Sequence, residues 1–142
     1  MGCDIHTHVE VKNNGIWEKI DNFEPFDWRS YNMFSLLADV RNNGTIKPMS
    51  EPRGLPDDVS IEVYEKHREE AGDAHSASYL TLKELVEYDY SEPHIDEYDE
   101  LITEDDIYTP LNFLSDSYFK DIEELKQYGD LDNVRVVFWF DN

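Results

Sequence analysis

Cys3-Asp4-Ile5-His6-Thr7-His8-Val9-Glu10-Val11-Lys12, then Asn13-Asn14-Gly15, then Ile16-Trp17-Glu18-Lys19-Ile20, is the stretch that decides the fold. Residues 3–12 alternate with a period of two. In a strand, positions i, i+2 and i+4 share a face. Asp4, His6, His8 and Glu10 therefore form one polar row, and Cys3, Ile5, Val9 and Val11 face a core. Asn13-Asn14-Gly15 has the composition of a tight hairpin loop, so residues 16–20 return as a second strand.

Working outward, residues 134–140 are aromatic and β-branched throughout, which predicts a strand buried on both faces or central in a sheet. Its expected place is beside the first strand, where Asp141 or Arg135 would approach the polar row. Between these ends the chain reads as helical. Ser30 caps a helix over residues 30–41, stopped by Asn42-Asn43-Gly44. Asp58 or Ser60 starts a second that stops at Gly72. Thr81 and Glu84 form a capping box for a short third. Thr109-Pro110 opens a fourth, with Leu111, Leu114, Tyr118, Ile122 and Leu125 at helical spacing up to Gly129. Residues 45–58 and 73–79 read as polar connections. The expected fold is α+β: a small, mainly antiparallel sheet of the N-terminal hairpin and the C-terminal strand, with three to four helices on one side. One domain spans 1–142, with an acidic loop or insertion around 90–108.

The 142 residues carry a formal net charge of -21. Residues 1–56 hold 8 acidic and 6 basic side chains, and residues 57–142 hold 25 and 6. Such a balance argues against direct nucleic-acid or anionic-membrane binding. It suits either a solvated acidic face or a mimic of nucleic acid that fills the groove of a basic partner. Cys3 is the lone cysteine, which fits a reducing cytosol, and no apolar run is long enough to span a bilayer.

Three constellations carry chemistry. The Asp4-x-His6-x-His8 spacing is similar to the first strand of amidohydrolases, where such a row binds a divalent metal ion. Their barrel is far longer than this chain, so only the local chemistry transfers. A metal here needs a further ligand from His75, Asp57, Asp58 or Asp141, and the alternative is a polar sheet face. The second is the loop of residues 51–58, where Arg53 offers a planar donor fork for an anion and Gly54 permits close backbone approach. An ordinary turn that caps a helix is the competing reading. Arg29 and Arg41 bracket the first helix in the same way. The third is residues 73–79, where His75 stands among hydroxyls, as a general acid or base would; a connection with no role is the competing reading, and no nucleophile-elbow pattern accompanies the serines.

The start Met-Gly-Cys-Asp-Ile-His resembles a widespread family of small bacteriophage and prophage proteins. Arg29-Ser30-Tyr31-Asn32, the run of residues 36–42, Arg53-Gly54-Leu55-Pro56-Asp57-Asp58, His75-Ser76, the run of residues 79–85 and the ending at 134–142 are similar too. The resemblance covers most of the chain except the acidic stretch, and it centres the row on Asp4 and His6. It implies a phage accessory protein in the bacterial cytoplasm, and such proteins often counter host defence. The expectation is a protein, open to homo-oligomer formation, that sequesters or hydrolyses a nucleotide-derived immune signal. Arg29, Tyr31, Asn32, Arg41, Arg53, Gly54, Ser76 and Tyr79 would bind this small anionic ligand. Asp4, His6 and His75 would act in any catalysis. The alternatives are an acidic mimic that inhibits a basic host defence protein, and a metal-dependent phosphoesterase with Asp4, His6 and His8 as ligands.

Overall fold

The computed structural model describes residues 2–42, 44, 46–93 and 109–142. Two strands, β1 (Asp4–Asn13) and β2 (Ile16–Lys19), form the expected hairpin. Asn14 and Gly15 turn it with φ of 52° and 81°, the paired left-handed conformation that matches strand twist. There follow α1 (Tyr31–Ala38), α2 (Ile61–Glu70), β3 (Ala74–Thr81), α3 (Leu82–Glu87), α4 (Pro110–Phe113), α5 (Asp116–Leu125) and β4 (Val134–Asp141). The sheet is open and antiparallel, in the order β2-β1-β4-β3. The fold is α+β, as expected.

β4 is central, and Val134 to Phe140 are all buried. Its register against β1 sets Asp4 opposite Asp141, His6 opposite Trp139 and Glu10 opposite Arg135. On one face Ile5, Val9, Val11, Val134, Val136, Phe138 and Phe140 build the main core with α1, α3 and α5. Each large side chain taken fully from water there contributes about 1.5–3 kcal/mol.

Several boundaries differ from the sequence reading. Helices do not keep to one side: Val63 of α2 packs with Val137 and Trp139 on the face that bears the polar row. Residues 74–81 form a strand rather than a connection. Their small, hydroxylated side chains lack strong alternation, and pairing with β4 decides their state. Asp39, at φ 59°, ends α1 three residues before Asn42. The expected fourth helix is two, because Leu114 is extended at ψ 145° and buries its side chain between them. Ser60 caps α2, and the capping box of Thr81 and Glu84 forms. The acidic stretch from His94 to Tyr108 lies outside the described residues.

Candidate functional site

β1 begins, β4 ends and β3 begins at one end of the sheet, where Asp4, Asp141 and Ala74 are cross-strand neighbours. This end gathers most of the candidate residues, but it sorts them onto separate partners.

Asp4 is clasped by Arg29: Nε and Nη2 donate to its two carboxylate oxygens at 3.0 Å each. The guanidinium holds the Asp4 carboxyl below its ordinary range. Gly2 leaves room for it, since a Cβ there would stand 2.1 Å from Arg29 Nη1. His6 Nε2 meets Asp141 Oδ2 at 2.7 Å. His8 lies against the Trp139 ring at 4.7 Å, and its Nε2 is buried without a partner. Burial pushes its pKa down to about 4, so the imidazole is neutral. Glu10, fully buried, accepts from Arg135 Nε and from Ser60 N–H, each at 2.7 Å. The row is real, yet Asp4, His6 and His8 do not converge as a metal-ligand set. Among the described residues no three His, Cys, Asp or Glu side chains do so.

On the row's face, His6, Asp141, Trp139, Ala74, Glu69, Glu70 and Asp73 enclose a cavity of about 200 Å³. Trp139 Nε1 donates to Glu70 Oε2 at 2.8 Å. Its carboxylates, those of Glu69, Glu70, Asp73 and Asp141, repel an anion.

The opposite face offers a different rim. Tyr31 Oη accepts the Cys3 N–H at 3.2 Å, and the Arg41 guanidinium sits 5.5 Å over the Tyr31 ring. Burial raises the Cys3 thiol pKa, while the nearby Arg41 lowers it less. Ring contacts run from Tyr31 to Phe34 at 5.8 Å, Phe34 to Phe140 at 5.1 Å and Phe140 to His75 at 6.2 Å. They link Arg41 and Tyr31 to the third constellation. Asn32 is exposed on the first turn of α1.

His75 sits at a bulge, where the register of β3 against β4 shifts between His75 and Ser78. Ser76 within it has φ 56°, a conformation uncommon for a residue with a Cβ. His75 Nδ1 lies 3.0 Å from Ser76 Oγ, and Nε2 lies 3.1 Å from Asn142 Oδ1. The tautomer protonated at Nε2 fits both contacts, with Nε2–H donating to the amide oxygen and Nδ1 accepting from the serine hydroxyl.

Arg53, Gly54 and Tyr79 do not join this rim. Arg53 pairs through both Nη atoms with Glu84, and Nη1 also donates to Tyr79 O at 2.9 Å. Its guanidinium covers the Tyr79 ring at 5.4 Å. Gly54, at φ 80°, donates its N–H to Ala77 O at 2.8 Å. This group braces the loop against β3 and α3, toward the far end of β3 from His75.

Sequence reasoning passed over Asn142, Trp139, Glu69 and Glu70. The register of β4 was the signal for the first two; nothing local marked the glutamates. No protein-family model, curated protein or solved structure matches this chain. Among the described residues, no helix is long and apolar enough to cross a membrane.

Proposed function

We propose that this chain binds a small phosphorylated ligand of the nucleotide class at the rim formed by Tyr31, Arg41, His75 and Ser76, in the service of a phage accessory, counter-defence role. One observation carries the reading: residues from α1, the turn after it, β3 and the end of β4 meet around one aromatic chain. Rings suit a base, guanidinium and hydroxyl groups suit phosphate oxygens, and His75 suits a proton. The phage origin rests on the sequence resemblance. The test is incubation with cyclic mono- and dinucleotides, with free nucleotide measured before and after the protein is denatured. Depletion with intact recovery supports sequestration, and new products support hydrolysis. Neither depletion nor products overturns the proposal.

A second reading keeps one specific support. Arg29, Arg53 and Arg135 are each spent on carboxylates within the fold. Acidic side chains outnumber basic ones by 25 to 6 over residues 57–142, the excess that a mimic directed at a basic protein requires. Charge reversal within residues 96–106 separates the two readings, because it abolishes mimicry and spares nucleotide binding.

A further inference from the structure

We infer that Ser76 is a nucleophile, with His75 as its base and Asn142 as the group that fixes the imidazole. This rests on the nucleotide reading for its natural substrate and takes the hydrolytic side of it.

Three independent features agree. The first is the hydrogen-bond chain from Ser76 Oγ through His75 Nδ1 and Nε2 to Asn142 Oδ1, at 3.0 and 3.1 Å. A nucleophile, a base and an orienting acceptor in that order define hydrolytic triads on unrelated folds. In the tautomer where Nε2–H donates to Asn142 Oδ1, Nδ1 keeps a free lone pair to take the serine proton. The second is the backbone. Ser76 holds φ 56° inside a bulge, at a place where extended backbone would have continued the ladder. Backbone held in a sparsely populated conformation clusters at active sites. The third is position: His75 and Ser76 are both partly exposed, beside the aromatic chain that ends at Phe140.

The class of substrate is a phosphodiester. Ser76 Oγ bonds to phosphorus as its proton passes to His75 Nδ1. The bond from phosphorus to the leaving alkoxide breaks, and that oxygen takes the proton from His75. Water then gives a proton to Nδ1 and attacks phosphorus. The Ser76 Oγ–phosphorus bond breaks, and the hydroxyl regains its proton. No net oxidation occurs, and water is the co-reactant.

A fluorophosphonate, which phosphonylates activated serines and releases fluoride, tests this without any nucleotide. The full chain should gain one adduct, located by peptide mass spectrometry on Ser76. Ser76→Ala should gain none, and His75→Gln should label roughly 100-fold more slowly. Asn142→Ala should slow labelling and Asn142→Asp should restore it, because a carboxylate also holds Nε2–H; a merely structural Asn142 would not show that rescue. Should a His75 variant fail to fold, the Asn142→Ala and Asn142→Asp pair, with His75 intact, serves instead. No adduct, an adduct that survives Ser76→Ala, or labelling indifferent to Asn142→Ala overturns the inference. Labelling at Ser76 without any nucleotide depletion or product keeps the triad and overturns the nucleotide reading.

Discussion

Glu10 and Arg135, 125 positions apart, face each other across β1 and β4 and join as an ion pair buried from water on both sides. Arg135 also donates from Nη1 to Asp58 Oδ1 at 2.8 Å and stacks 3.9 Å over the Trp17 ring. Glu10 receives the N–H of Ser60, the cap of α2. One pair thus ties together β1, β4, the hairpin and the start of α2.

Removing Glu10 takes away the buried counter-charge of Arg135 and leaves it only the exposed Asp58. Glu10→Ala should destabilise the protein by about 3–5 kcal/mol, read as a lower urea midpoint with unchanged slope. The double variant Glu10→Leu with Arg135→Met should recover much of that loss. A single-variant effect below about 1 kcal/mol would show that solvent reaches the pair.

His8 predicts a pH dependence. Its folded pKa, about 4, lies below the ordinary 6.5 because the ring is buried. Between these values the unfolded chain binds the extra proton, so stability rises with pH through that window and is lost as pH falls through about 4. The span is on the order of 2–3 kcal/mol. His8→Phe should flatten the dependence between about pH 4 and 6.5. It also removes an unpaired buried nitrogen, so stability at neutral pH should hold or rise. Equilibrium unfolding at several pH values measures both.

Arg53→Ala separates a brace from a ligand contact. Loss of its bonds to Glu84 and Tyr79 should cost about 1 kcal/mol, reduced by the partial exposure of the pair. Nucleotide affinity should stay within about twofold, since Arg53 lies away from His75. A tenfold weaker affinity in titration calorimetry would return Arg53 to the binding rim.

Ser76→Gly relieves the positive φ. The variant should gain up to about 1 kcal/mol in stability while losing fluorophosphonate labelling. A destabilised variant would mean that Ser76 Oγ supports the bulge rather than serving chemistry.

The outer frame of this fold was legible because its signals are periodic. The alternation of residues 3–12 and the dense apolar run of 134–140 announced two adjoining strands, and Ser60 and Thr81 announced helix starts. β3 was hidden, because Ala74, Ser76 and Ala77 have little side chain to show a pattern. The candidate site was half legible. Side-chain type singled out Asp4, His6, His75 and Ser76. The choice of partner needs three dimensions: Arg29 goes to Asp4 rather than to a ligand, and Arg53 goes to Glu84. The arginine fork that suits a phosphate suits a carboxylate as well, and this acidic chain supplies carboxylates close at hand.

β4, one of the two inner strands of the sheet, is also the last of its four strands to be synthesised. On the ribosome, the hairpin and β3 exist for a time with no strand to join them, and their apolar edges wait. The main core closes only when β4 has cleared the exit tunnel. Because that closure pairs residues from opposite ends of the chain, it requires a search over long separations, which is slow. The growing chain is therefore the form most exposed to aggregation.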